Sequence, residues 1–183
     1  MNEINKVTGS VQAGHMDFRI DLAEDTDAAL IRDLLVETAT WMNAAGIEQW
    51  YPQQFTEELI RSYLREREIF LCMDGEVPAG MFTLQSSDPD YWGELNDESF
   101  HYLHRLLVRA SYRGIGLSRA LIYWAARYSR EQGKQGLRFD CWDQNRKLNP
   151  YYESLGMVPQ GKGTIGERSY ILYQMASDVY RSV

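Results

Sequence analysis

The segment Leu106-Leu107-Val108-Arg109-Ala110-Ser111-Tyr112-Arg113-Gly114-Ile115-Gly116-Leu117-Ser118 constrains this chain more than any other. An apolar strand feeds a turn that holds two glycines. A helical stripe of Leu117, Leu121, Trp124, Ala125 and Tyr128 follows and stops at Gly133. Gly114 and Gly116 let backbone approach a ligand closely. The amides through Ser118 are the unsatisfied donors of a helix start, and with the helix dipole they make an anion site. The first turn carries Ser118 and Arg119 and no acid, and Arg109 and Arg113 add positive charge nearby. On these residues alone the segment reads equally as a structural turn and as a phosphate cradle. It is not the dinucleotide fingerprint, because the third glycine of G-x-G-x-x-G would fall at Arg119. A second candidate, Gly156 to Lys162, matches G-x-x-x-x-G-K, but Gly163 follows where Ser or Thr is needed. It also precedes strand-like Ser169-Tyr170-Ile171-Leu172, so it reads as a hairpin loop.

The periodicity elsewhere places this turn in a larger frame. Residues 1–15 carry no hydrophobic period and read as a flexible N-terminal tail; residues 16–183 read as a single domain. Phe18-Arg19-Ile20 opens a strand. Leu30, Ile31, Leu34, Leu35, Thr38 and Met42 form a helical stripe that Gly46 ends, and a second helix spans Thr56 to Glu66. Ile69 to Met73 and Ala79 to Leu84 flank an Asp74-Gly75 hairpin turn, Ser86 to Asp97 is a loop, and Phe100 to Val108 is a long strand. Leu137 to Trp142 is a strand and Arg146 to Ser154 a short helix. Strands near Met157-Val158 and over Ser169 to Met175 complete the chain. The order β-α-α-β-β-β-α-β-α-β-β mixes hairpins with a strand-helix-strand crossover, which predicts an α/β fold around a mixed central β-sheet flanked by helices.

Charge and composition narrow the function. The 19 Lys and Arg against 26 Asp and Glu give a net charge of −7, and the cations are scattered. Nucleic acid is therefore not the expected partner. No apolar run approaches the roughly 18–20 residues that span a bilayer, so no membrane partner is expected. Two cysteines, Cys72 and Cys141, and three histidines show no disulfide framework and no metal-ligand spacing. A reduced, cytoplasmic setting without a metal is the simplest expectation.

Arg113-Gly114-Ile115-Gly116-Leu117-Ser118 resembles the R/Q-x-x-G-x-G/A signature of the GNAT superfamily of N-acetyltransferases, with Val108 five residues before the arginine. Tyr102 to Val108 and Leu137 to Trp142 also resemble a bacterial branch of that family. Asn145, Tyr152 seven residues on, and Gly156-Met157 are similar to its N-x6-Y-x3-G-F element. The resemblance covers about residues 16–176, with Ser118 in place of a small Gly or Ala and Met157 in place of Phe. It implies an acetyl-CoA-dependent N-acetyltransferase. The coenzyme pyrophosphate would sit on the amides of Arg113, Gly114, Ile115, Gly116, Leu117 and Ser118. The pantetheine arm would pair with Leu106, Leu107 and Val108 like an extra strand. Asn145 would bond the arm, Tyr152 would protonate the leaving thiolate, and a backbone N–H near Val108 would meet the oxyanion. Read without the resemblance, Tyr152 is an ordinary core aromatic and Asn145 a helix cap.

Acetyl transfer also needs a base. His104 is the first choice, because strand alternation puts it on the face of Val108 unless a bulge intervenes. A buried histidine satisfied by a backbone partner is the other reading, and Glu94, Asp97, Glu98 and His101 are alternative bases. Cys141 has no activating neighbour in sequence and reads as a strand residue. Trp41, the Gly46 to Pro52 stretch and Asp90-Tyr91-Trp92-Gly93-Glu94 combine aromatics with acids, as an alkylammonium pocket would; the tryptophans also read as core. The expected acceptor is the primary amine of a small molecule. A peptide or protein acetyltransferase and a non-catalytic acyl-CoA sensor are the competing readings. A homodimer is a common assembly for such folds, and Tyr173 to Val183 is the segment that would supply an interface strand.

Overall fold

Period-two alternation begins earlier than expected. Val7–Ala13, inside the segment read as a flexible tail, forms strand β1 and pairs antiparallel with β2, Met16–Leu22. Val11 and Ala13 alternate with polar residues, and Gly14 at φ 60° closes the hairpin. The computed structural model describes residues 7–176. The other elements are α1 (Ala28–Ala44), α2 (Glu57–Glu66), β3 (Glu68–Asp74), β4 (Val77–Gln85), a short α3 (Pro89–Trp92), β5 (Phe100–Val108), α4 (Leu117–Glu131), β6 (Gly136–Trp142), α5 (Leu148–Ser154), β7 (Val158–Ile165) and β8 (Arg168–Ala176). The expected mixed sheet is present, with eight strands in the order β1-β2-β3-β4-β5-β6-β8-β7. Beyond the expected order it contains β1 and α3. Among the described residues no helix is long and apolar enough to cross a membrane.

The chain forms two compact units interleaved in sequence. The first runs to Thr83 and takes in Arg105–Ala120. Its core is the predicted stripe of α1, with Ile31, Leu34 and Leu35 packed among Phe55, Ile60, Ile69, Leu71, Met81 and Leu107. Burial of each such side chain contributes about 1.5–3 kcal/mol. Thr56 Oγ1 accepts the Leu59 N–H at 3.2 Å and caps α2, an interaction that contributes about 1 kcal/mol. Here β4 and the end of β5 run unusually close. A Cβ at Gly80 would stand 2.5 Å from the Leu107 carbonyl oxygen, while the Arg109 N–H donates to the Ala79 carbonyl at 2.9 Å. Glycine at 80 is therefore a steric requirement.

The second unit holds Leu84–His104 and the chain from Leu121 on. Its parallel register pairs Phe100, His101 and Tyr102 with Gly136, Leu137 and Arg138, and ends there among the described residues. β8 lies between β6 and β7, bonded on both edges. Tyr173 and Gln174 are paired on both edges, Met175 and Ala176 pair with β6, and the rest of that expected interface segment lies outside the described residues. β7 corrects another expectation. Gly156 to Lys162 is not a hairpin loop, because Val158 onward is strand, with a register shift at Pro159/Gly161; the turn comes at Gly166, φ 59°. Gly163 has a packing role, since a Cβ there would collide with the Tyr91 carbonyl.

Substituting Gly80→Ala forces the Leu107 backbone to shift. A loss of about 1–3 kcal/mol is expected, seen as a lower thermal midpoint in calorimetry; an unchanged midpoint would contradict the close approach.

Candidate active site

The glycine turn folds as its residues dictate. A 3₁₀ turn over Ala110–Tyr112 follows β5, and the Tyr112 hydroxyl donates to Asp74 Oδ2 at 3.0 Å while its ring meets Phe18 edge-on at 5.7 Å. Gly114 and Gly116 then adopt φ 81° and 86°, which side-chain-bearing residues adopt only at a cost. α4 starts at Leu117, directly after the two left-handed glycines. No backbone carbonyl among the described residues accepts from the amides of Gly114, Ile115 or Gly116. The Arg113 amide, expected in the cradle, is instead spent on Ala110 O at 3.3 Å. Its guanidinium lies 3.8 Å over Trp41 and donates from Nε to Val108 O at 3.1 Å. A Cβ at Gly114 would meet nothing within 4 Å, so the space over the turn is open. With no acid in the first turn of α4, free amides and the positive helix end fit an anion such as a pyrophosphate. Leu106 and Val108 are half-buried and Leu107 is buried on the strand that leads into this turn.

In the second unit, His104 is half-buried and bonded. Its Nε2 lies 2.9 Å from Asp88 Oδ2, and its Nδ1 lies 4.0 Å from Asp140 Oδ1. A carboxylate only accepts, so Nε2 carries the hydrogen in the neutral ring, and Nδ1 is the nitrogen that can take a proton. Asp88 is itself buried and held in place. Its N–H donates to Asn96 Oδ1 at 2.7 Å, and Asn96 Nδ2 donates to Ser87 Oγ at 3.0 Å. Asp88, His104 and Asp140 also have ligand atoms within 4.8 Å of one another, close enough to share a cation. The 2.9 Å hydrogen bond satisfies Nε2 and Asp88 without one. Sequence reasoning missed both aspartates, which come from separate segments.

The alternative bases fare worse. Glu94, Asp97 and Glu98 are exposed, and the Ser99 N–H donates to Asp97 Oδ1 and holds its carboxyl below the usual range. His101 is the satisfied core histidine: Nδ1 lies 2.9 Å from Ser129 Oγ, and burial pushes its pKa down from 6.5 to about 4. The strand alternation that placed His104 with Val108 is interrupted between them. Arg105, between them, has φ 53°, and among the described residues it is the non-glycine residue with positive φ.

Tyr152 packs edge-on against Phe139 at 4.6 Å. Burial pushes its hydroxyl pKa well above the usual value, so the group stays protonated. That hydroxyl has no hydrogen-bond partner among the described residues, yet it is not among their buried unpaired atoms, so it keeps some exposure. Asn145 Oδ1 caps α5, accepting from Leu148 N at 2.9 Å and Lys147 N at 3.3 Å, which leaves its Nδ2 to donate. Cys141 is buried in β6, and burial pushes its thiol up to about 12.

The three tryptophans among the residues read as a cationic-amine pocket lie against the chain's own arginines. Arg113 covers Trp41, and Arg138 lies 4.5 Å from Trp92. Arg105 lies 5.1 Å from Trp50, 5.4 Å from Phe55 and 5.9 Å from Tyr63.

Comparison with known proteins adds an independent line. The model of the acetyltransferase (GNAT) family matches residues 29–157. The uncharacterized N-acetyltransferase YesJ of Bacillus subtilis (strain 168) is 27% identical over 146 residues, which span 76% of this chain and 81% of that protein. A GNAT-family acetyltransferase from Listeria monocytogenes superposes with a TM-score of 0.79 at 29% identity, covering 92% of this chain and 99% of its own. An aminoglycoside acetyltransferase in complex with coenzyme A and kanamycin has a TM-score of 0.68 at 20% identity, over 87% and 94% of the two chains, a likeness of fold.

The neutral His101 gives a pH prediction. Between pH 6.5 and about 4 the unfolded chain binds a proton that folded His101 refuses. Stability is therefore lost as pH falls through that window and levels off, for this group, below it. His101→Gln should flatten that part of the melting-temperature profile; an unchanged profile would show that the ring is not the titrating group.

Proposed function

The chain belongs to the GNAT acetyltransferase family, an enzyme family of acetyl-CoA-dependent acetyl transfer, and from that premise we propose that it acetylates the primary amine of a small molecule. The observation that carries the reading is the left-handed Gly114–Gly116 turn, whose unclaimed amides open α4. The amides of Gly114, Ile115, Gly116, Leu117 and Ser118 hold the pyrophosphate. Leu106, Leu107 and Val108 offer backbone groups to the amide-bearing arm, and Asn145 Nδ2 donates to it. Acetyl-CoA supplies the activated thioester carbonyl.

The remaining chemistry falls to side chains. An ammonium has no lone pair, so the acceptor must first lose a proton, and His104 removes it through Nδ1, directly or through water. Asp88 on Nε2 and Asp140 beside Nδ1 compensate the charge that the imidazole gains. Tyr152 then hands its hydroxyl proton to the departing sulfur. Its raised pKa suits a donor and would disable a base. Cys141 takes no part. It is buried in β6, and burial pushes its thiol up and away from the thiolate that a nucleophile needs; transfer in this reading runs directly to the amine. A fold neighbour that holds coenzyme A together with kanamycin supports a small-molecule acceptor.

Calorimetric titration of acetyl-CoA tests the cradle. Micromolar binding is expected for the wild type, and loss of it in a Gly116→Trp variant that keeps its thermal midpoint. No binding by the folded wild type would refute the reading. Thiol release with a reactive amine tests the base. His104→Gln should lower kcat about 10²-fold or more with coenzyme affinity kept. Tyr152→Phe should do the same. Unchanged turnover in either variant removes that residue from the mechanism.

A further inference from the structure

Arg105 differs from four other arginines of its unit, each of which meets a carboxylate. Arg19 meets Asp21, Arg32 meets Asp33 and Glu57, Arg61 meets Asp25 and Glu57, and Arg109 meets Glu37 through two parallel hydrogen bonds of 2.9 and 2.8 Å. Arg105 meets no carboxylate among the described residues. Its guanidinium rests against Trp50, Phe55 and Tyr63, and one terminal nitrogen donates to the Tyr63 hydroxyl at 3.2 Å. A guanidinium has five N–H donors in a planar fork. Nε and the other terminal nitrogen have no protein acceptor among the described residues, and neither is one of their buried unpaired atoms. The fork is thus oriented by rings on its faces, and because the nitrogen bonded to Tyr63 keeps a second N–H, one edge of the fork is left to accept a carboxylate bidentately.

The backbone points the same way. A positive φ on a non-glycine residue is held only where its surroundings over-determine it, and such outliers cluster at ligand clamps. Here the outlier lies directly before Leu106–Val108, the segment assigned to the coenzyme arm, and directly after His104, the assigned base. The anionic group that Arg105 meets does not come from the coenzyme. Its phosphates belong at the start of α4, and its pantetheine arm is uncharged.

We infer that Arg105 reads a carboxylate on the acceptor, so that the substrate is an amine carrying a carboxylate, an amino acid or a close relative. The inference rests on the acetyltransferase reading above and names the acceptor class for that same site. The Trp50, Phe55 and Tyr63 faces hold the fork, and the carboxylate takes its edge. Arg105 selects the acceptor and takes no proton.

The test compares amino acids with their decarboxylated amines in matched pairs, following thiol release at saturating acetyl-CoA. Wild-type enzyme should favour the carboxylate-bearing member at least about tenfold in kcat/KM, as a charge-assisted pair would give. Arg105→Gln should erase that preference through KM, Arg105→Lys should keep part of it, and acetyl-CoA affinity should not change in either. Equal use of both members by the wild type overturns the inference and leaves the acetyltransferase reading intact. A preference that survives in Arg105→Gln, or a loss of coenzyme affinity there, also overturns it. No turnover on any pair, with acetyl-CoA bound, overturns both the inference and the amine-acceptor reading. The wild-type comparison stands even where a variant fails to fold.

Discussion

A left-handed residue inside a strand costs about 1–3 kcal/mol unless it is glycine, and β5 carries an arginine there. That constraint organises the strand. Before Arg105, Phe100 to Tyr102 keep a regular parallel register with Gly136 to Arg138. After it, Leu107 carries its carbonyl so close to β4 that only glycine fits at position 80. The pleat is interrupted between the two stretches, so His104 and Val108 need not share a face. A strand with unbroken alternation would send His104, Arg105 and Leu106 to fixed opposite sides. The break instead leaves all three half-buried.

A buried cation steadies the proposed base. Arg138 is 8% exposed and lies 3.8 Å over Phe100 and 4.5 Å from Trp92. It donates to Gln174 Oε1 at 2.9 Å, to the Leu95 carbonyl at 2.8 Å and to the Tyr102 hydroxyl at 3.1 Å. None of these partners is charged. A buried cation is costly unless it is hydrogen-bonded, and here three acceptors and two ring faces meet that need. The bond to Leu95 ties the loop after β4 down one residue before Asn96, and Asn96 holds the Asp88 amide. Asp88 holds His104. The orientation of the proposed base thus depends on an arginine outside the chemistry.

Much of this was legible in the sequence. Strand β5 has the expected bounds, and the α1 stripe, the Thr56 cap and the Asp74-Gly75 turn form where periodicity and turn chemistry place them. The glycine turn was legible because backbone conformation there admits few residue types. Tyr152 and Asn145 enter the proposed site only through family spacing, since a tyrosine on a short helix and an asparagine before one are ordinary. Asn145 does cap α5, as the plain reading had it. β1 was missed because glycine and serine interrupt its alternation, and β7 because glycines in a strand look like turns. At Gly163 the glycine is there to admit the Tyr91 backbone.

The pairings that matter most were not legible, and the reason is combinatorial. Asp88, His104 and Asp140 lie on a loop, β5 and β6, and no local rule joins them before the sheet does. The tryptophans show the same limit from the other side. Aromatics near acids suggest a pocket for a foreign cation, but ring faces are open to any cation that reaches them, and the chain has its own. Arg113, Arg105 and Arg138 each reach a tryptophan, and a guanidinium on a short covalent tether needs no binding entropy to stay there. What such an arginine still offers is its edge. Where the edge meets protein acceptors, as in Arg138, the residue is structural; where it remains open, as in Arg105, the ring box has turned a cation pocket into an anion site.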